Sequence, residues 1–273
     1  MDVLTFYSSG DIYLKHNITE RPCDSDFEMH IHDTCEIYLF MGGNAEYLVE
    51  GSVYPLDKES VILLAPFESH KTRILSSEPY ERYVVNFPRT FFDSIDPERR
   101  LLSALLSREN GKDNLYRKEE LSGFDVKSLF DLACYCKEDD YGKILKIRSM
   151  LLQLLDVIGC AYKKRGKENA VQSREAEFVA YVNAHLAEDI SVPSVAEHFF
   201  LSAVQFSRIF KNATGAAPWT YITLKRLSTA RERLANGASV QSAFEESGFK
   251  DYSSFYRAYV RHFGKMPSED IRK

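Results

Sequence analysis

The chain has 273 residues, of which 44% are hydrophobic and 13% aromatic, which excludes a disordered polypeptide and favours two domains, each with a core of its own. No apolar run approaches the roughly 20 residues that span a bilayer, and the first residues lack a basic stretch followed by an apolar one, so a cytoplasmic protein without a membrane partner is expected. The net charge of −5 is unevenly divided: residues 1–162 carry 18 basic and 28 acidic residues, residues 163–173 carry 4 and 1, and residues 174–273 carry 13 and 11, so only the last third and the short segment before it suit an anionic partner.

The first ninety residues place short apolar runs between turn signals. Strands are expected over 36–40, 45–49, 53–56, 60–65 and 80–87, with Gly42-Gly43-Asn44 and Glu50-Gly51-Ser52 as turns, which reads as an antiparallel sandwich or barrel. Within it, His30-x-His32-x3-Glu36-x6-Gly43 followed by Pro66-x3-His70 resembles the two motifs of the cupin barrel. The second motif departs from that pattern: its usual glycine is missing, the spacing to His70 is one residue short, and Ile74 stands in place of an asparagine. Period-two alternation puts His30, His32, Glu36, Tyr38 and Phe40 on similar faces. Imidazoles and a carboxylate converging on one interior can hold a divalent ion such as Mn, Fe, Ni or Zn. The favoured reading is nevertheless a pocket for a small-molecule effector, formed by His30, His32, Glu36, Tyr38, His70 and Arg82. A bound metal at His30, His32, Glu36 and His70 is the less favoured alternative, catalysis the least, and no cofactor is expected to be required. Tyr38, Tyr80 and Arg82 can bond and stack on a sugar-like ligand, although the surface is the default place for each.

From Pro97 the period becomes helical. Leu101, Leu102, Leu105 and Leu106 make one apolar face, and Ile144, Ile147, Leu151, Leu154, Leu155 and Ile158 predict an amphipathic helix over about 140–163. Such a stripe packs on its own domain or pairs two subunits, and a homodimer through helices at about 97–163 is expected. The five cysteines, Cys23, Cys35, Cys134, Cys136 and Cys160, have no metal-type spacing and read as reduced thiols. The polar stretch after Lys163 marks a linker at 164–173, dividing a sensing and dimerisation domain at 1–163, its barrel ending near 95, from a helical domain at 174–273.

The helical domain contains a repeat. Phe206, Arg208, Phe210, Gly215 and Pro218 recur as Phe255, Arg257, Tyr259, Gly264 and Pro267, all displaced by 49 residues. Ser191 with Pro193 opens a helix before the first copy, and Leu201-Ser202 makes the turn into it. Ser239 opens a helix before the second copy, which stops at Gly248. Helix, short turn, helix is the geometry that inserts a second helix into the major groove. Helical spacing sends Phe206, Ile209, Phe210 and Ala213 inward in one copy and Phe255, Ala258 and Tyr259 inward in the other. The outward residues, Val204, Ser207, Arg208 and Lys211 with Tyr252, Ser253, Tyr256 and Arg257, are the expected contacts to double-stranded DNA. The bland alternative pairs these arginines with Glu197 and Glu232 on a solvated bundle.

With Val195-Ala196, Tyr221-Ile222, Arg226-Leu227, Ala230, Leu234, Gly248-Phe249 and Phe263-Gly264 at matching positions, residues 174–273 resemble the DNA-binding domain of the AraC/XylS family. That resemblance implies seven helices, a long one near 219–235 between two helix-turn-helix motifs, promoter binding, and activation by contact with RNA polymerase. Departures are Ala243-Phe244, where the family has a branched residue and then alanine, the nearby Glu245 and Glu246, and a tail one residue longer before Arg272. The fold expected is α+β in two domains, a cupin-like antiparallel β-barrel followed by helices, then an all-α domain with two helix-turn-helix motifs. The function expected is an effector-responsive regulator and not an enzyme, an activator of nearby metabolic, carbohydrate-related genes. The alternatives are a metal-dependent cupin enzyme with a helical appendage and a pure protein-interaction module.

Overall fold

A computed structural model describes residues 2–165 and 174–271. Nine strands come first: β1 (Asp2–Ser9), β2 (Ile12–Thr19), β3 (Cys35–Gly42), β4 (Ala45–Val49), β5 (Ser52–Pro55), β6 (Val61–Leu64), β7 (His70–Ile74), β8 (Tyr80–Phe87) and β9 (Leu115–Tyr116). They form two antiparallel sheets, one ordered β1-β2-β8-β3-β6-β9 and the other β5-β4-β7. Strand β3 is buried on both faces, and its alternation divides two cores. Cys35, Ile37, Leu39 and Met41 face the helices, whereas Tyr38 and Phe40 face Tyr47 and Val49 of the smaller sheet.

Helices α1 (Ser103–Leu106), α2 (Val126–Tyr135) and α3 (Asp140–Arg165) cover the outer face of the larger sheet. The apolar stripe of α3 is used there: Ile147, Leu151, Leu154, Leu155 and Ile158 are at most 1% exposed inside their own domain, so this stripe is closed to a second subunit. Of the four leucines expected on one face near α1, Leu102 and Leu105 are buried but Leu106 is exposed, because a 3-10 turn over Arg100–Leu102 rotates the register. Strand β9 interrupts the stretch read as wholly helical. It is pinned by a buried pair in which Arg108 donates through both terminal nitrogens to Glu68 and Asn114 donates to Leu63 O. Helix α3 runs to Arg165, and the expected linker at 164–173 otherwise lies outside the described residues.

The second half holds α4 (Arg174–Ala184), α5 (Val192–His198), α6 (Ala203–Thr214), α7 (Pro218–Ala235), α8 (Val240–Glu246) and α9 (Tyr252–Phe263), ending in a 3-10 turn over Pro267–Asp270 where the seventh helix is expected. Its two small cores are built around Phe206 and Phe210, and around Phe255 and Tyr259, all four fully buried. The two halves of the chain meet at the β4–β5 turn. Glu50, at φ 48°, is 5% exposed and accepts from Lys225 Nζ at 2.9 Å, Tyr221 Oη at 2.5 Å, Asn183 Nδ2 at 2.9 Å and its own domain's Ser69 N at 2.6 Å. Gly51 must be glycine there, since a Cβ would sit 2.7 Å from Val179 of α4.

Candidate nucleic-acid interface and sensing pocket

Both copies of the repeat begin and end with equivalent caps. Ser202 accepts from Gln205 N to start α6 and Asp251 accepts from Ser254 N to start α9, two positions 49 apart. Gly215 and Gly264 then end the helices at φ 81° and 69°, a left-handed conformation that costs glycine little. Between the caps each helix is 12 residues long, so every outward position of one copy has a counterpart in the other.

Across the copies only Arg208 and Arg257 carry the same outward side chain, since Val204, Ser207 and Lys211 have Ser253, Tyr256 and Val260 as counterparts. Val204 is 80% exposed, Arg208 and Lys211 are exposed, and Ser207 is half-buried; Tyr252, Ser253, Tyr256 and Arg257 are all exposed. Among the described residues neither Arg208 nor Arg257 joins a hydrogen bond or salt bridge. Glu232, the partner of the bland reading, lies instead 3.7 Å from Arg89. The Ala243-Phe244 departure is an exchange of packing roles: Ala243 is fully buried against the helices, and Phe244 sits half-buried against Tyr252 and Phe255 with ring centroids 5.6 and 5.7 Å away. Glu246 is neutralised by Arg233 at 2.9 Å. One exposed residue escaped the sequence reading. Phe200, 96% exposed at φ 56°, occupies the turn between α5 and α6, and the signal available was an aromatic at a turn position where small residues are favoured.

In the sheet domain the histidines and Glu36 converge at one mouth of the space between the sheets. His30 and His70 exchange backbone hydrogen bonds at 3.1 Å, which brings the loop before β3 against β7. His32 Nε2 lies 2.9 Å from Glu36 Oε2, and Asn86 Nδ2 donates to the same carboxylate at 2.8 Å. Burial opposes the charge of both, but their mutual attraction outweighs it, holding the His32 imidazolium above its ordinary range and the Glu36 carboxyl below its own. His70, 1% exposed and beside two other imidazoles, is pushed well below the histidine range and is neutral.

Tyr38, Tyr80 and Arg82 correct the surface default. All three are buried: the two phenol oxygens share a hydrogen bond, and the Arg82 guanidinium stacks over Tyr80 at 4.5 Å and Phe27 at 5.2 Å. They fill the space deeper in the sheet domain, while the histidines stand at its edge.

Residues 18–121 match the AraC-like ligand binding domain, and residues 195–273 match a helix-turn-helix domain. The chain is 25% identical over 274 residues to the transcriptional activator RhaS of Escherichia coli, covering 98% of this chain and 95% of that one. It is 23% identical over 257 residues to the thermoregulatory protein LcrF of Yersinia pestis, covering 89% and 91%. A solved structure of ToxT from Vibrio cholerae aligns over 94% of this chain and 96% of its own at 15% identity, with a TM-score of 0.38. No described helix is long and apolar enough to cross a membrane. The twin motifs with their exposed arginines, behind a two-sheet domain with an enclosed polar cluster, place the chain in the AraC family of transcription regulators.

Proposed function

We propose that this regulator lays α6 and α9 into successive major grooves on one side of a DNA duplex. Val204, Ser207, Arg208 and Lys211 form one contact set, and Tyr252, Ser253, Tyr256 and Arg257 the other. The observation that carries the reading is the separation within each helix: aromatic rings fully buried on one face, and an unengaged arginine at the same point of the opposite face. An arginine so placed donates two parallel hydrogen bonds to guanine O6 and N7, discriminating by about 1–3 kcal/mol. An effector entering near His30, His32, Glu36 and His70, above Tyr38 and Arg82, alters how the sheet domain holds the helical half.

Two molecules act together in the cytoplasm. With the α3 stripe buried, the proposed subunit contact uses the exposed Leu132, Tyr141 and Leu145 of α2 and α3. Activation through RNA polymerase, at nearby metabolic genes, follows the naming of RhaS as an activator. Selection of genomic fragments on the purified full-length chain tests this: a shared motif with two half-sites is expected, and recovery of fragments without any common motif contradicts it.

A further inference from the structure

The turn between α5 and α6 carries a side chain for which the fold gives no reason. Two backbone hydrogen bonds close it, Phe200 N to Glu197 O at 3.0 Å and Leu201 N to Ala196 O at 2.9 Å, a helix-ending pattern that sets residue 200 in the left-handed region at φ 56°. Glycine suits such a position, whereas a residue with a Cβ is strained there. The second copy has a glycine at the matching point, Gly248 at φ 85° directly after the C-cap of α8. Its aromatic neighbour, Phe249, packs inward with its ring centroid 5.6 Å from that of Phe255. In the first copy the inward role falls to Leu201, which packs on the core of Phe206 and Phe210, and the Phe200 ring is left 96% exposed. Phe200 therefore destabilises the free chain in two ways, by backbone strain and by apolar surface held in water. Strain that persists in this way is a mark of functional positions.

The place of the ring in the motif decides what it meets. Phe200 stands two residues before Ser202, the N-cap of α6, and Val204, two residues beyond that cap, is 80% exposed. Exposed apolar side chains thus flank the end of α6, which in a helix-turn-helix is the end that contacts base edges. The first turn of α6 carries no acidic residue that would repel phosphate. The apolar group that a base pair offers in the major groove is the 5-methyl of thymine. We propose that Phe200 is a further specificity determinant of this regulator, its ring covering the 5-methyl group of a thymine at the edge of the site that Val204, Ser207, Arg208 and Lys211 occupy. This contact rests on the proposed entry of α6 into the major groove. It adds a base that helical periodicity leaves out, because residue 200 lies before the helix begins.

The test uses the full-length chain and a DNA site obtained by selection, with each thymine replaced in turn by deoxyuridine, which removes the methyl group and keeps the base pair. Gel retardation at constant salt compares the wild type with Phe200→Gly, Phe200→Tyr, Val204→Ala and Arg208→Ala. One thymine is expected whose methyl group raises affinity about four-fold in the wild type and in Phe200→Tyr and not at all in Phe200→Gly, while Val204→Ala leaves that dependence in place. Phe200→Gly is also expected to melt no lower than the wild type, because glycine relieves the strained turn. The contact is overturned by the same methyl dependence in Phe200→Gly as in the wild type, or by a weakening equal on all sequences, which puts the ring on sugar and phosphate. Intact binding with lost transcription by RNA polymerase gives the ring to a protein partner, and a lowered melting temperature gives it to the fold; either result also overturns the contact. A selection without a common motif, or Arg208→Ala binding as the wild type does, fails the α6 reading and this contact with it, whereas unaltered methyl dependence in Phe200→Gly fails the contact alone.

Discussion

Arg208 and Arg257 differ from the nearby arginines of the helical half in what surrounds them. Arg226 donates to Leu186 O and Glu188 O, Arg231 is paired with Asp33, and Arg233 with Glu246, so these three serve the fold. Arg208 and Arg257 are exposed on the outer faces of α6 and α9. Replacing Arg208 with alanine is expected to leave folding intact and to cost about 1–3 kcal/mol of discrimination at one base position, read by retardation across sites that vary at each position. A uniform loss across all sequences assigns the residue to phosphate instead. Beneath it, Phe206 is fully buried, and Phe206→Ala is expected to destabilise the first motif by about 3–5 kcal/mol in denaturant unfolding.

The helices depend on caps and stops as much as on their apolar stripes. Gly248 closes the turn after α8 at φ 85°, and a Cβ on it would lie 2.2 Å from Leu186 O, which is backbone and cannot yield. Gly248→Ala is therefore expected to lower the melting temperature more than Ser239→Ala, which removes the α8 cap at a cost of about 0.5–2 kcal/mol. The helices were legible in the sequence, because the repeat at an offset of 49 residues brings Gly264 and Pro267 after α9 as Gly215 and Pro218 follow α6, while Ser239 and Gly248 read as a helix start and stop by residue type alone. Strands β4 and β8 were legible for a similar reason, since glycine turns or apolar alternation bound them. Strands β1 and β2 form a hairpin across Gly10-Asp11, a turn signal that the sequence carries and the expected strands left out, whereas the pairing of β2 with β8 and of β4 with β7 depends on partners far along the chain. The pocket was half legible. Spacing brought His30, His32 and Glu36 together, and alternation along β8 puts Tyr80 on the face of Arg82, but the burial of Arg82 also depends on Phe27, which no local pattern joins to it.

At the scale of the whole chain, Glu50 joins sensing to binding, because a carboxylate from the sheet domain is enclosed by Lys225, Tyr221 and Asn183 of the helical half. Burial alone would raise its pKa, but the Lys225 charge and the hydrogen bonds outweigh that and hold the carboxyl below the ordinary glutamate range. Docking stability from this pair is then fully present above the unfolded-state pKa and is lost as pH falls through the lower folded value. Thermal unfolding is expected to show that loss on acidification in the wild-type chain and to show less of it in Glu50→Gln. Removing only Lys225 leaves a buried charge without its partner and is expected to cost about 3–5 kcal/mol. The central claim is that the two motifs read one duplex side by side, and a footprint of the full-length chain on a selected site tests it most directly. Protection of two major-groove segments about 10 base pairs apart is expected, with Arg208→Ala and Arg257→Ala each clearing a different segment. Protection of a single segment, or a footprint that both variants leave unchanged, would contradict it.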